Sequence, residues 1–192
     1  MKKDDELKFI RLAVKRLDAS IEFESANRNA ALDDLRFVNG DQWPEAIREQ
    51  RKREGRPCQT INKLAVFARQ VTNDARQSRP AIKIHPVDDT GDIETAKVLT
   101  GLIRHIEYDS HAEDAYDTAL ESAVRCGFGF WRILTEYEYE ASFNQCIKIK
   151  RIRNPFMVYL DPSSQEMDGS DAEYGFVIDD IKLDEFKALY PN

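Results

Sequence analysis

The sequence predicts an α+β fold, in which a long N-terminal helix and a helical hairpin pack on a mainly antiparallel sheet. Three observations predict it. Apolar residues recur at spacings of three and four along the segments before Cys126, the period changes to two from Phe130 onward, and short turns at Ala141–Gln145 and Asn154-Pro155 separate the alternating runs. The chain has 192 residues, of which 42% are apolar and 10% aromatic. That is one domain's length, with enough apolar material for a core and too much for a disordered chain.

The first helix is read from Leu7, Ile10, Val14, Leu17 and Ile21, with Arg28, Ala31 and Leu35 continuing the stripe past a polar patch at Ser25–Asn29. Residues 4–39 contain neither Gly nor Pro until Asn39-Gly40-Asp41, which reads as a C-cap and turn. A helix of about 30 residues runs about 45 Å, more than a compact domain accommodates, so it is expected to reach toward a partner. After Trp43-Pro44-Glu45 comes a short basic helix carrying Arg48, Arg51, Lys52, Arg53 and Arg56, closed by Gly55 and Pro57. A further helix is predicted over 62–77 on Leu64, Phe67 and Val71, and Arg79-Pro80 ends it.

Ala81–His85 alternates as a strand, and 86–91 reads as a loop. Asp92 is an N-cap candidate for a helix carrying Ile93, Ala96, Leu99, Leu102, Ile103 and Ile106. A second helix over 112–126 presents Ala115, Ala119, Ser122 and Ala123 as a small-residue face, and the two form an αα-hairpin. Residues 130–140 and 146–153 read as paired strands, with Glu136, Glu138 and Glu140 facing Lys148 and Lys150 as a charge ladder. Short strands at 156–160 and 174–178 flank a polar loop, and a helical turn over 183–189 comes last.

Charge divides the chain. Residues 1–80 carry 17 Lys+Arg against 13 Asp+Glu, and residues 81–192 carry 11 against 22, so an overall −7 conceals +4 and −11. On this basis 1–80 is a basic helical segment and 81–192 an α+β body. The asymmetry suits either an acidic or nucleic-acid partner for the first half or head-to-tail contact between copies. The charged N-terminus has no apolar run behind it, and no segment has the roughly 18 apolar residues of a membrane span, so neither a secretory signal nor a membrane partner is expected. Cys58, Cys126 and Cys146 are widely spaced, never in a CxxC pair, and fit a reducing compartment.

Catalytic patterns are absent: there is no GxSxG, HExxH or GxxxxGK[ST], and no cofactor is expected. His105 and His111, six apart, cannot chelate one metal from a single helix face and are read as surface or N-capping histidines. The oxygen-rich loop 161–171 lacks the EF-hand ligand pattern and is read as a set of Asx turns. The candidate site is the cationic cluster Arg48, Arg51, Lys52, Arg53 and Arg56, a candidate phosphate or inter-subunit contact. Glu45, Glu49 and Glu54 are its i,i+4-type partners if it is merely a solvated face. Any phosphate contact there would be sequence-independent.

Several segments taken in order resemble a known family. They are Phe37-Val38-Asn39-Gly40-Asp41-Gln42-Trp43, Gly55-Arg56-Pro57-Cys58-Gln59-Thr60-Ile61-Asn62-Lys63-Leu64 and Arg79-Pro80-Ala81-Ile82. Cys126-Gly127-Phe128-Gly129-Phe130-Trp131-Arg132, Arg153-Asn154-Pro155, Tyr159-Leu160-Asp161-Pro162-Ser163 and Ser170-Asp171-Ala172 follow in the same order. Together they resemble the N-terminal part of portal proteins, the head-to-tail connectors of tailed bacteriophages, of the short-tailed type.

The resemblance implies a wing-like domain that continues beyond residue 192 in a full-length portal, and a structural protein with no enzymatic activity. It implies a ring homo-oligomer, a dodecamer when full length, at the capsid vertex of the virion, reached through assembly in the host cytoplasm. The implied role is support of DNA packaging, DNA ejection and tail attachment. The implied partners are the terminase large subunit, capsid or scaffolding protein, the head-to-tail adaptor, and double-stranded DNA passing through without sequence-specific binding. The alternative from the residues alone is a stand-alone, sequence-independent nucleic-acid-binding module using helix 48–56.

Overall fold

A computed structural model describes residues 3–86, 92–166 and 168–191. Most of the 86–91 loop therefore lies outside the described residues. In chain order the elements are α1 (Lys3–Val38), α2 (Glu45–Arg53), α3 (Leu64–Gln77), α4 (Ile93–Asp109), α5 (Ala112–Cys126), β1 (Trp131–Tyr137), β2 (Gln145–Arg151), β3 (Val158–Leu160), β4 (Gly175–Val177) and α6 (Leu183–Leu189). The chain forms two units: a terminal unit made of Met1–Ala30 with Phe156–Asn192, and a central unit spanning Ala31–Pro155. The α+β class holds, with the strands arranged as two separate antiparallel pairs, β1–β2 and β3–β4.

In the central unit α5 is the organising element, packing against α3, α4 and both strands of the β1–β2 hairpin. Its small-residue face makes this possible. Ala112, Ala115 and Ala119 are buried, and Ala112 and Ala115 join Ile149 of β2 in a core flanked by Ile106 and Tyr116. The Tyr116 ring meets Trp131 edge-on at 5.3 Å, a geometry aromatic quadrupoles favour. Helix α3 and the segment just after it are tied to α5 by ion pairs of Arg76 with Asp117 at 2.9 Å and of Arg79 with Glu113 at 2.8 Å. The two ends of the Arg79 guanidinium serve two carboxylates, Nη1 pairing with Glu113 at 2.8 Å and Nη2 donating to both Asp117 oxygens at 2.9 Å, a span that the point charge of a lysine does not match.

Two glycines in Cys126-Gly127-Phe128-Gly129 have separate jobs. Gly127 ends α5 at φ +90°, the left-handed conformation a helix terminus uses, and its N–H donates to the Ala123 carbonyl at 2.9 Å. Gly129 lies against the α5 backbone, where a Cβ would sit 1.9 Å from the Ala119 carbonyl oxygen. The bare backbone is what lets β1 start beside the helix.

The α4–α5 link is tight, and His111 takes a left-handed φ of +49° there with no side-chain capping bond. A non-glycine residue in that region costs about 1–2 kcal/mol. His111→Gly is therefore expected to raise stability by about 0.5–1 kcal/mol, after the added freedom of the unfolded chain is subtracted, as read from urea denaturation.

Two expectations are corrected. Ala81–His85 is no strand: the segment has no ladder partner among the described residues, and the Ile84 N–H donates instead to the Thr100 hydroxyl on α4 at 3.2 Å. Its alternation serves contact with a helix. The charge ladder is also absent, because the register sets Lys148 opposite Leu134, Lys150 opposite Arg132 and Glu136 opposite Cys146. Pairing Ile133 with Ile149, the buried core residue, fixes this register, and apolar burial outweighs surface charge pairs worth only a few tenths of a kcal/mol. Lys148 turns to Asp109, and Lys150 keeps an ion pair with Glu136 at 3.0 Å.

In the terminal unit, α1 packs through the later part of the stripe read in the sequence, with neighbours beside it, and leaves the stripe's first turns uncovered. Ser20 and Arg28 are buried and Leu17 and Glu24 half-buried, while Leu7, Ile10 and Val14 are 48%, 56% and 52% exposed. The reason lies in what α1 meets. Within this unit the neighbouring segment offers backbone carbonyls and tyrosine rings, which attract guanidinium groups more than alkyl chains.

Candidate functional site

The cationic helix α2 is built into a junction of two loops. Gly40 turns the chain after α1 at φ +103°, and the Asn62 side chain closes that turn by donating from Nδ2 to the Val38 carbonyl at 2.6 Å. The Asn62 Oδ1 accepts the Leu64 N–H at 3.2 Å at the start of α3, and Gln42 donates to the Phe37 carbonyl at 3.2 Å. Trp43 Nε1 donates to the Gln59 carbonyl at 3.4 Å. The segments 37–43 and 55–64 are thereby stitched to one another.

Two of the five candidate cations belong to that stitching. Arg48 pairs with Asp41, donates to the Trp43 carbonyl at 3.3 Å and reaches Glu45 at 3.4 Å. Arg51 lies 4.8 Å from the centre of the Trp43 ring and donates to the Pro57 carbonyl at 3.0 Å. Both are half-buried. The other three are exposed: Arg53 pairs with Glu49 at 3.4 Å, Arg56 with Glu54 at 3.3 Å, and Lys52 has no ionic partner among the described residues. Over residues 41–56 the five cations stand among four carboxylates. The local field is weak, far from the strongly basic footprint of a nucleic-acid binder.

The terminal unit contains a better-built cationic centre, at Arg28. Its Nε donates to Glu24 at 2.7 Å, Nη1 to the Phe156 carbonyl at 2.7 Å and Nη2 to the Val158 carbonyl, and the guanidinium lies 3.7 Å from the centre of the Tyr159 ring. A companion contact places Arg16 at 4.7 Å from the Tyr174 ring centre and 3.7 Å from Glu173. The sequence does hold a signal for this centre: Arg28 occupies a position on the helical stripe where an apolar residue belongs.

With these segments placed, comparison with known proteins becomes informative. A family model described as Phage P22-like portal protein matches residues 14–192. The chain belongs to that portal family. A portal protein of Acyrthosiphon pisum secondary endosymbiont phage 1 is 28% identical over 187 residues, covering 92% of this chain and 26% of that protein. This portal chain thus spans about a quarter of that relative's length.

In the loop 161–171 of the portal chain, Asp161 and Asp168 form Asx turns by accepting the N–H groups of Ser163 and of Ser170, the latter at 3.1 Å, and Asp171 reaches back across the loop. Asp161 accepts the N–H groups of Ser163 at 2.9 Å and Glu173 at 3.2 Å; Asp171 accepts Gln165 N–H at 2.7 Å and the Ser164 hydroxyl at 2.6 Å. Among the described residues no group of three or more His, Cys, Asp or Glu side chains is placed to hold a metal ion. Backbone N–H bonds, from Ser163 and Gln165 respectively, are the main cause holding the Asp161 and Asp171 carboxyls below the ordinary value of 3.8. Groups lowered in the folded state stabilise it above that ordinary value, and the stabilisation is lost as pH falls through their lowered values. The protection of the Gln165 amide, measured as its exchange rate relative to the free peptide, is expected to be high at pH 5 and to fall as pH drops below 3.8, with Asp171→Asn removing it at pH 5.

His105 lies within α4 and His111 at the α4–α5 link. Cys126 is buried and donates to the Ser122 carbonyl at 3.1 Å, while Cys58 and Cys146 are half-buried free thiols. No described helix is long and apolar enough to cross a membrane.

Proposed function

We propose that the chain is a structural part of a phage portal ring at the capsid vertex of the virion, assembled in the host cytoplasm and contributing packing surface. The exposed apolar row Leu7, Ile10 and Val14 along α1 carries this reading, together with the family match over 14–192. Rows of this kind on a charged helix are costly in water and mark a surface that another chain covers. In this reading the ring supports DNA packaging, ejection and tail attachment, with terminase, capsid or scaffolding protein and a head-to-tail adaptor as its partners. Duplex DNA passes without being read. The role is mechanical; no catalytic step is assigned.

Mass measurement by light scattering, followed by particle imaging, tests the ring. Closed rings, dodecameric for the full-length portal, are expected. Leu7→Glu with Ile10→Glu is expected to shift the assembled species to monomer while leaving the thermal melting of the monomer unchanged within a few degrees. A strict monomer at every concentration sinks the claim that these residues suffice for assembly.

A further inference from the structure

The central unit carries a groove separate from the α2 cluster. It has a cavity volume of about 480 Å³ and lies between residues 83–86 and one face of α4. Ile93, Lys97, Thr100 and Arg104 recur at spacings of four, three and four, which puts them on one helical stripe. Thr100 holds the groove together: its hydroxyl donates to the Ala96 carbonyl at 2.8 Å and accepts the Ile84 N–H at 3.2 Å, pinning the extended segment to the helix. The floor is apolar, with Ala96 buried and Ile84 half-buried. The rim is cationic, made of Lys83, Lys97 and Arg104 with His85 beside them, and no carboxylate lines it among the described residues. None of these four has an ion-pair partner among the described residues, although this half of the chain carries −11 overall.

An apolar floor inside a cationic rim selects an amphipathic acidic peptide. Duplex DNA fits poorly: it is convex and offers phosphate and sugar, so it would meet the rim and leave the floor uncovered. The chain itself contains a matching segment. Residues 179–186 read Asp-Asp-Ile-Lys-Leu-Asp-Glu-Phe and carry a net −3 against the groove's +3 from Lys and Arg. Ile181, Leu183 and Phe186 are exposed large apolar side chains interleaved with those carboxylates.

We infer that the Lys83–Lys97–Arg104 groove of one copy receives the Asp179–Phe186 segment of a second copy, as a head-to-tail contact. The inference rests on the reading that copies of this chain pack side by side, and it supplies the heterologous contact that a ring requires.

Charge exchange tests it. One full-chain variant reverses the groove (Lys83→Glu, Lys97→Glu, Arg104→Glu); another reverses the segment (Asp179→Lys, Asp180→Lys, Asp184→Lys, Glu185→Lys). Each alone is expected to be monomeric by light scattering, and an equimolar mixture to regain association. Variants that assemble alone as the native chain does, or a mixture that stays monomeric while the native chain assembles, overturn the inference.

A second arm works even if no ring forms. A labelled peptide of residues 178–188, titrated with the segment-reversed full chain, is expected to bind, and to bind at least tenfold more weakly when the groove is reversed as well. A native chain that stays monomeric defeats the ring reading but leaves this arm intact, whereas a peptide that does not bind defeats the groove. Groove reversal that abolishes binding to a labelled DNA duplex while leaving association unchanged also overturns the inference, in favour of nucleic acid.

Discussion

Arg28→Ala is expected to destabilise the terminal unit by about 3–5 kcal/mol, the cost of breaking a buried charge network from one side. The native residue is 8% exposed and serves four partners at once: Glu24, the carbonyls of Phe156 and Val158, and the Tyr159 ring. Truncation leaves two carbonyls and a half-buried carboxylate without their donor, and each such orphan costs about 1–3 kcal/mol where water cannot replace the bond. Arg28→Lys tests the geometry. An ammonium carries the charge but has no planar fork to span two carbonyls while lying on a ring, so it is expected to restore less than half of the loss. Thermal melting, together with proteolysis mapped to residues 156–177, reads both variants. An Arg28→Ala chain that melts within a degree or two of the native one would show that the network contributes nothing net.

Gly129→Ala is the second large effect. The added Cβ would stand 1.9 Å from the Ala119 carbonyl oxygen and 2.7 Å from its carbon, and both atoms are backbone, so no rotamer change relieves the clash. Either α5 or the start of β1 must move, which disturbs the Ala112–Ala115–Ile149 core beneath. The expected cost is about 3 kcal/mol or more, the upper range for overpacking, seen as loss of soluble protein or a lowered denaturation midpoint. Gly127→Ala is the control. A methyl group added there would have no atom within 4 Å, and only the left-handed φ is violated, so about 1 kcal/mol is expected. Equal effects at the two positions would refute the distinction between close approach and backbone conformation.

The elements are legible wherever a local signal is complete. Asp92 caps α4 as its position announces, accepting the Glu94 N–H at 2.8 Å, and α6 begins and ends where its short apolar pattern does. The small-residue face of α5 is readable too, because alanines at helical spacing have few other uses. Register is not readable: the acidic and basic runs suggest a ladder, but the choice is made by Ile149, whose burial depends on helices far away in sequence. Which part of the α1 stripe packs escapes the sequence for a similar reason. An apolar stripe says which side prefers to leave water, and only the partner segment decides whether Arg28 or Val14 is the residue that finds a complementary surface. In the candidate site, the five cations are visible but their division is not. Arg48 and Arg51 are set apart by Asp41, Trp43 and Pro57, and the loops bring those groups close only after folding.

The two units also differ in when they can exist. The central unit is one uninterrupted stretch, Ala31–Pro155, and all its internal contacts are available once that stretch has left the ribosome. The terminal unit joins both ends of the chain, and the bond from Arg28 to Phe156 closes a loop of 128 residues. During synthesis the residues up to Ala30 must therefore wait, with Leu17, Ser20 and Arg28 uncovered, until those from Phe156 onward arrive. Nascent portal chains are vulnerable over that interval, and the middle turns of α1 are where a chaperone would first find something to hold.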